Sequence, residues 1–504
     1  MTLSCDIIII GSGIGGATLA SSLAPTGAKI LILERGPHLQ HTPEARDDVA
    51  IFQKGFYQSD EEWLATDGER FLPGNYYYVG GYSIFYGAGM YRYREQDFTP
   101  RPHPEGQSPG WPISYGDLAP WYDEAENLFQ VHGALGQDPT DPPRVHDFPF
   151  PAVPDEPAMA RVRQRLQKAG VTPASLPLAI DIKTWLAEGK TGWDAFPNTG
   201  KGKIDAQSGP LDQALKHANV ELWPNARVTR IETDDSGQTA TSVMVTHDGR
   251  DERIFAKHIV VAAGAVQSAA LLLRSANNAH PAGLANKSDQ VGRNFMNHNT
   301  SAMITMNPFL KNDCIYQKTL CFNDFYNNSP AGTGPLGNVQ CLGRITGNIL
   351  KAQVPMLPAF VAKAIAGRAF GWFLTSEDLP NPQSRVMIRG NDIVVDWQRS
   401  NMQAHHQLIA QTKKVMKRAG FPIVAIRTFG RKTTSHQCGT ARLGIDPHTS
   451  VVNPDCQSHD IANLWITDAS VLPTSAAVNP ALTIAALALK AGKAISQKIS
   501  ANNP

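Results

Sequence analysis

The sequence lacks the features that mark several large classes of protein. Its 504 residues carry 46 basic and 45 acidic side chains, and a net charge of +1 indicates neither a nucleic-acid groove nor a polybasic membrane patch. No apolar run reaches the length of a membrane-spanning helix, and no internal repeat is present. The chain is long enough to bury two or three domains' worth of core.

Cysteine is scarce and scattered. The six cysteines show no CxxC spacing, which argues against a zinc site or a redox pair and fits reduced thiols. The neighbouring His405 and His406 point in different directions on a predicted helix and have no acidic partner in view, so we expect surface or capping residues and no metal. Met1 leads straight into an apolar strand without a basic leader, so we expect no signal peptide and a cytoplasmic protein.

The N-terminal segment predicts a dinucleotide-binding unit. The run CDIIII, residues 5–10, is typical of a parallel strand buried on both faces, and GSGIGG follows at 11–16. Gly11 permits the tight turn, Gly13 lets the backbone approach a pyrophosphate, and Gly16 lets the next helix pack closely. Ser12 and Ile14 complete this phosphate loop, and the helix N-terminus suits a phosphate.

The second predicted strand, 29–33, ends in an acid where a ribose hydroxyl is expected. Glu34 is that acid, and Arg35 follows it. The motif alone does not distinguish FAD from NAD. No second GxGxxG occurs downstream, which argues against a separate nicotinamide site but leaves a nicotinamide dehydrogenase as an alternative.

The tail of the chain, residues 434–482, combines two polar residues with small and apolar neighbours. His436 precedes a Gly-Thr turn, Asn479 precedes Pro480, and a short buried strand between them ends in Asp468. A histidine and an asparagine that meet beside one reactive atom would form a general base and its hydrogen-bonding partner. A structural histidine and a turn asparagine remain the alternative. A final helix is predicted from Ala481 to about residue 498. Its N-terminus, at Ala481, would stabilise negative charge.

Three tail segments, HQCGTARLG, NLWITDAS and PTSAAVNPALTIAALA, resemble the C-terminal signature of the glucose-methanol-choline (GMC) oxidoreductases. The loop YYYVGGYSIFYGAGMYRYR resembles the first signature of that family, which wraps the flavin, and glycines are needed where backbone lies against a flat ring. The resemblance implies an FAD enzyme that oxidises alcohols. It assigns these further cofactor-binding residues: Gly80, Gly81, Ser83, Tyr86, Gly87, Val228 at the adenine, Ala263, Gly264, Asp468, Ala469, Asn479, Pro480 and Ala481.

The resemblance also bears on how FAD is held. In some relatives a histidine in the flavin-wrapping loop bonds covalently to the flavin, and Phe85 occupies that place here. Phenylalanine cannot form such a bond, so we predict non-covalent FAD.

The phrases GWPISYGDLAPWYDEAE and VHG resemble family members that act on sugars and glycosides. The resemblance points to bacterial members that oxidise pyranosides, glycoside 3-oxidases and pyranose oxidases among them, which makes C3 a candidate position for the oxidation. The implied reaction passes the hydroxyl proton of a secondary ring alcohol to His436 and the carbon-bound hydrogen to flavin N5 as hydride, with Asn479 holding the substrate oxygen. Gln340 is a candidate sugar ligand, although an outward-facing strand residue is the preferred interpretation. A cysteine cluster that related sequences carry is missing from residues 191–201.

Two functional alternatives stay open, a non-sugar aromatic or polyol alcohol as substrate and a flavin-binding electron-transfer protein without alcohol chemistry. Oxygen or a quinone-like carrier would reoxidise the flavin, and oligomeric state is not predicted. The expected fold is α/β, a Rossmann-like FAD domain with an α+β substrate domain built on a mainly antiparallel sheet. The predicted segments are 1–95, 211–298 and 436–504 for the FAD domain, 96–210 for a flavin-covering lid and a segment of the substrate domain, and 299–435 for the substrate domain.

Overall fold

The computed structural model describes residues 3–330, 332–433 and 436–501. Over these residues the strands are β1 Ser4–Ile10, β2 Ile30–Leu33, β3 Trp63–Ala65, β4 Arg70–Phe71, β5 Arg101–His103, β6 Gly106–Ser108, β7 His132–Gly133, β8 Phe150–Pro151, β9 Ala174–Ser175, β10 Val220–Trp223, β11 Ala226–Thr233, β12 Ala240–His247, β13 Arg250–Val261, β14 Asn299–Met306, β15 Leu320–Phe322, β16 Asn338–Cys341, β17 Ala369–Ser376, β18 Arg385–Arg389, β19 Asp392–Asp396, β20 Ile423–Thr428 and β21 Leu464–Ile466.

The α-helices over the same residues are α1 Ile14–Leu23, α2 Asp48–Phe52, α3 Tyr115–Leu128, α4 Pro157–Lys168, α5 Ile182–Glu188, α6 Asp212–Ala214, α7 Ala265–Arg274, α8 Gly347–Gln353, α9 Ala359–Ala366, α10 Met402–Arg418 and α11 Ala481–Ala501. None of these described helices combines the length and apolarity needed to cross a bilayer. All six cysteines are free and buried.

A seven-stranded sheet carries the site. Its order is β10-β2-β1-β13-β12-β11, with β21 added on β13. β1 pairs in parallel with β2 and β13, and its Ile7, Ile8 and Ile9 side chains are fully buried, which explains the uninterrupted apolar run. β13 is longer than its predicted strand at 258–262 because its first half pairs antiparallel with β12.

The parallel strands β1, β2, β13 and β21 place their carboxyl ends at one edge of this sheet. The glycine loop follows β1, Glu34 follows β2, Ala263 follows β13, and Asp468 follows β21. In open α/β sheets a ligand binds outside this edge. Segments far apart in sequence therefore meet at one candidate site. The strands come from within 1–95, 211–298 and 436–504, and the domain boundaries themselves stay predictions.

The mainly antiparallel second sheet is confirmed. It has six strands in the order β20-β14-β17-β16-β15-β9, and every pairing in it is antiparallel. The sequence also predicts strands at 385–388 and 393–397 in this antiparallel sheet, and that placement is wrong for the corresponding β18 and β19. They pair instead with β3 and β4 in a separate four-stranded sheet, because β19 lies parallel to β3.

Two predicted helices differ from the structure. The helical spacing of Trp121, Ala125 and Leu128 predicts a helix from about Pro120. α3 begins at Tyr115 instead, because Ser114 and Asp117 form a reciprocal capping box that fixes the start one turn earlier. The helix predicted over 211–217 is reduced to α6 after a π-helical turn at Gln207–Leu211.

His405 is also corrected. Its ring lies fully buried beneath α10, with Nε2 2.8 Å from the Ser301 hydroxyl and Nδ1 3.0 Å from the Ser376 hydroxyl, so two serines of the antiparallel sheet satisfy it. Its neighbour His406 is exposed, as predicted.

Candidate active site

A cavity of about 770 Å³ opens at the carboxyl edge of the seven-stranded sheet. Most of the predicted site residues line it, namely Gly11, Gly13, Ile14, Glu34, Arg35, Gly81, Ser83, Tyr86, Gly87, Val228, Ala263, Gly264, His436, Asp468, Ala469, Asn479, Pro480 and Ala481. Four predicted residues lie behind the wall: Ser12, Gly16, Gly80 and Gln340. The cavity therefore unites the predicted cofactor loop with the predicted catalytic pair.

Three of those four residues support the wall rather than form it. The Ser12 hydroxyl donates to Glu34 Oε2 at 2.6 Å and accepts from the Gly80 amide at 2.9 Å, which ties the two glycine loops together. A Cβ on Gly16 would lie 2.0 Å from the carbonyl oxygen of Gly11, so glycine is needed for the close helix packing that the motif predicts. These three residues lie behind the cavity wall, and their predicted contact with the cofactor stays a prediction.

The glycine loop fits a dinucleotide cofactor. A Cβ on Gly15 would lie 1.6 Å from the Thr467 carbonyl oxygen, whereas a Cβ on Gly13 would meet nothing within 4 Å. Gly13 lies on the cavity wall at the N-cap of α1, where no side chain caps the helix. The first amides of α1 are thus available to an anion such as a pyrophosphate. The size of the cavity and this cradle fit the FAD that the family resemblance implies.

Glu34 is held in place by its own loop. Its carboxylate accepts hydrogen bonds from the Ser12 amide at 3.0 Å and the Gly36 amide at 2.9 Å, besides that of the Ser12 hydroxyl. Burial nevertheless raises the pKa of this carboxyl group, with the hydrogen bonds opposing the shift. The predicted ribose contact stays a prediction.

The loop over 80–89 is anchored from behind by a buried ammonium group. Lys203 Nζ donates to the carbonyl oxygens of Tyr86 at 2.9 Å, Phe196 at 2.6 Å and Ile84 at 3.2 Å. Burial lowers the pKa of this lysine to about 7. At the cavity wall Phe85 stacks on Tyr76 with ring centroids 3.9 Å apart. The position where some relatives carry a flavin-linked histidine therefore holds a side chain without a nucleophilic atom.

Asp468 joins two elements at the cavity wall. Its Oδ2 accepts from the Gly264 amide at 2.9 Å and the Ser268 hydroxyl at 2.5 Å, while Oδ1 accepts from the Ser470 amide at 2.8 Å. These bonds hold the start of α7 against the turn after β21. Beside them α11 begins at Ala481 with no acidic residue in its first turn, so its N-terminus favours negative charge in the cavity.

The hydrogen bonds around His436 fix which of its nitrogens is basic. His298 Nε2 lies 2.7 Å from the Ser475 carbonyl oxygen, which only accepts, so this nitrogen carries a hydrogen. In neutral His298 the bare Nδ1 then accepts from His436 Nδ1, 2.8 Å away. His436 Nε2 is left with a free lone pair, and the Asn479 amide nitrogen lies 3.4 Å from it. This tautomer is the one that a general base at the cavity wall needs.

Burial keeps both histidines neutral. It lowers the pKa of His298 to about 4, although the carbonyl bond opposes the shift. It lowers the pKa of His436 well below the usual 6.5, and the neighbouring His298 and Lys318 add to the effect. His436 is therefore ready to accept a proton at neutral pH.

Gln340 is buried rather than outward-facing, so that interpretation of the sequence was wrong. β16 lies between β15 and β17 and all four of its residues are buried, which removes the polar face that alternation suggests. Gln340 Nε2 donates to Asn479 Oδ1 at 2.8 Å. Gln340 does not line the cavity, and its predicted contact with a sugar hydroxyl stays a prediction.

Further wall residues were missed by sequence reasoning. Lys318 and Asp194 form an ion pair of 3.0 Å at the cavity, next to Gly87. Phe373 presents its ring to His436 with centroids 6.3 Å apart. No sequence pattern links these residues, because each arrives from a different part of the chain. Gly89 did carry a signal: a Cβ there would lie 3.2 Å from Asn479 Oδ1, so the glycine makes room for that amide.

The lowered pKa of His436 gives a test by pH. We expect the rate of flavin reduction by a substrate alcohol to stay level as pH falls through 6.5 and to drop only in more acidic solution, because His436 stays unprotonated there. Anaerobic stopped-flow measurements across the pH range would check this. Half-loss of the rate near pH 6.5 would show an exposed, unshifted histidine instead.

Models of known protein families match three parts of the chain. Residues 156–300 and 378–488 match two models described as GMC oxidoreductase, which together cover about half of the chain. Residues 9–56 match a model described as NAD(P)-binding Rossmann-like domain.

Similar proteins extend over nearly the whole chain. 6'''-Hydroxyparomomycin C oxidase of Streptomyces lividus is 27% identical over 99% of this chain and 92% of the relative. 2-Methyl-1,2-propanediol dehydrogenase of Mycolicibacterium austroafricanum is 28% identical over 98% and 96%. The fructose dehydrogenase large subunit of Gluconobacter japonicus is 26% identical over 98% of both.

Solved structures show the same fold. Pyridoxine 4-oxidase from Mesorbium loti superposes with a TM-score of 0.67 at 19% identity, over 98% of this chain and 99% of that one. A mutant of formate oxidase from Aspergillus oryzae RIB40, studied for FAD modification, gives 0.67 at 15% identity over 98% of both.

Proposed function

Because the chain belongs to the GMC oxidoreductase family and is an FAD-dependent oxidoreductase acting on CH–OH groups, we propose that it oxidises a secondary ring hydroxyl of a sugar or glycoside, at C3, to a ketone. The observation that carries this proposal is the polar wall beside the base. Lys318 and Asp194 offer donors and acceptors to a polyhydroxylated ring, and Phe373 offers an apolar face. A pocket that aims a few polar groups inward selects ligands able to pair with them.

The residues around the cavity divide the work. His436 Nε2 takes the hydroxyl proton, and Asn479 Nδ2 donates to the substrate oxygen and holds it in line. Bound FAD supplies the acceptor for the hydride that leaves the same carbon. Oxygen or a quinone-like carrier then reoxidises the reduced flavin.

The position of oxidation can be read from the product. We expect methyl β-glucoside to bleach the flavin anaerobically and its 3-deoxy analogue to fail, because the analogue lacks the reacting hydroxyl. Trapping the product with borodeuteride should place deuterium at C3, as read by NMR. Deuterium at C6 would mean oxidation of a primary alcohol and would overturn the regiochemistry.

A non-sugar alcohol is the second candidate, since one relative is named as a propanediol dehydrogenase. Small diols would then reduce the flavin faster than any glycoside at equal concentration. Such a ranking would replace the sugar proposal while leaving the alcohol chemistry in place.

We also propose that FAD is held without a covalent bond, since Phe85 lines the cavity where some relatives carry a flavin-linked histidine. Acid precipitation should release the yellow colour into the supernatant. Colour that stays with the pellet would contradict this, and peptide mapping would then find the attachment.

A further inference from the structure

We propose that a line of buried side-chain amides, anchored at Asp138, sets the orientation of Asn479 and thereby keeps His436 Nε2 in its basic form. The proposal rests on the proposed role of His436 as the base. It assigns a positioning role to Gln340, Asn338 and Asn323, none of which lines the cavity.

The line can be followed atom by atom. Asn323 Nδ2 donates to Asp138 Oδ2 at 2.6 Å, and Asn338 Nδ2 donates to Asn323 Oδ1 at 2.7 Å. Gln340 Nε2 donates both to Asn338 Oδ1 at 3.0 Å and to Asn479 Oδ1 at 2.8 Å. The side chains of Asn323, Asn338 and Gln340 are each 1% exposed or less. Bulk solvent therefore does not reach these three amides.

The direction of this line follows from its anchor. The Asp138 carboxylate also accepts from Arg94 Nη2 at 2.7 Å, and an ionised carboxylate can only accept. Asn323 and Asn338 must therefore each turn their nitrogen towards Asp138 and their oxygen towards the cavity. Gln340 Nε2 then donates to two oxygens, those of Asn338 and Asn479. Because Asn479 Oδ1 accepts from Gln340, the Nδ2 of Asn479 faces His436.

Gln340 shows that this direction has a cost. Its Oε1 is buried and has no hydrogen-bond partner among the described residues, although a buried amide oxygen normally has one. Turning the amide over would set Oε1 against both Asn338 Oδ1 and Asn479 Oδ1. The two bonds that Gln340 Nε2 donates therefore fix the direction of this amide and leave its oxygen unpaired.

The consequence for the base is chemical. With nitrogen facing it, Asn479 donates to His436 Nε2 and that nitrogen keeps its lone pair. With oxygen facing it, Asn479 would accept, and this favours the other tautomer of His436, in which Nε2 carries the hydrogen and the bond from Nδ1 to His298 is lost. The base would then be lost without any change at His436 itself.

The variant Gln340→Glu tests this link. Above the pKa of the introduced carboxyl group, an ionised acceptor turns the Asn479 amide over, and the hydrogen of neutral His436 moves from Nδ1 to Nε2. Below that pKa the carboxyl group can still donate. We expect flavin reduction at high pH to slow by about 100-fold, within the usual range for general-base catalysis, and to recover as pH falls. A pH profile parallel to that of the wild type would overturn the proposal.

Asn338→Asp is the matched control. It buries a new carboxyl group two residues away on the same strand but still presents an acceptor to Gln340. We expect no new fall in rate at high pH. If both variants shift alike, buried charge alone explains the effect and the proposal is wrong.

The tautomer itself gives a readout that needs no substrate. The histidine rings are labelled with 15N, and the His436 signal is assigned by its loss in His436→Ala. The wild type should show an Nε2 without hydrogen. Gln340→Glu at high pH should show an Nε2 that carries a hydrogen. An unchanged His436 signal overturns the positioning role. If instead no alcohol reduces the wild-type flavin, the proposed function fails and this comparison still decides the inference.

Gln340→Met covers the case in which the carboxyl variant does not fold. It has similar length and no hydrogen bonds to offer, so Asn479 loses its anchor. We expect flavin reduction about tenfold slower with unchanged FAD content, the size of one lost orienting bond. A wild-type rate would contradict the proposal.

Discussion

Replacing His436 with alanine is expected to slow anaerobic flavin reduction by roughly two to four orders of magnitude, the usual contribution of a general base. The reason is that Nε2 of this half-buried, neutral ring is the group placed to accept the hydroxyl proton. Removing the ring opens space but leaves the glycine loop and α1 untouched, so FAD content should stay near that of the wild type. Stopped-flow reduction with a reactive glycoside, together with the flavin absorbance per protein, measures both quantities.

His406→Ala is the control for this change. His406 lies exposed on α10, so its loss should leave the rate of flavin reduction unaltered. A near-native rate in His436→Ala would remove this histidine from the mechanism. A loss of FAD in His436→Ala would assign it to cofactor binding instead.

Gly15→Ala is expected to have the largest effect on folding. The added Cβ would lie 1.6 Å from the Thr467 carbonyl oxygen, so α1 and the end of β21 cannot both keep their places. Overpacking against backbone has no side chain that could move aside, and we expect a loss of about 3 kcal/mol or more in the free energy of unfolding. Chemical denaturation of the apoprotein measures this loss.

Gly13→Ala is the matched variant two residues earlier. Gly13 has φ −66° and a Cβ there meets no atom within 4 Å, so the apoprotein should lose less than about 0.5 kcal/mol. The methyl group stands on the cavity wall instead, and we expect weaker FAD binding by titration of the apoprotein. Equal destabilisation by the two variants would contradict the packing assigned to this loop.

Local sequence patterns predicted the parts of the site that lie within one segment. The strand–glycine–helix order at 5–23 and the tail around Asn479 are short-range patterns, because neighbouring residues alone decide a tight turn or a helix start. The family resemblance added the residues that surround the flavin. Its implied position for His436 is where the structure has a cavity-lining histidine.

Long-range contacts were beyond this reasoning. His298 meets His436 although 138 residues separate them, and nothing near His298 in the sequence marks it as a partner. Gln340 was misjudged because β16 is buried on both faces. In such a strand a polar residue between apolar ones does not mark a solvent-facing side. His405 was misjudged because two serine hydroxyls of the antiparallel sheet satisfy a ring that looked unpartnered.

One measurement tests the central claim most directly: anaerobic mixing of the purified yellow protein with free sugars, glycosides and aromatic or aliphatic alcohols, while the flavin absorption band is followed. The proposed function predicts bleaching by sugars or glycosides, with oxygen restoring the band only if the enzyme is an oxidase. The contradicting result is a flavin that dithionite reduces and that no alcohol in the panel bleaches.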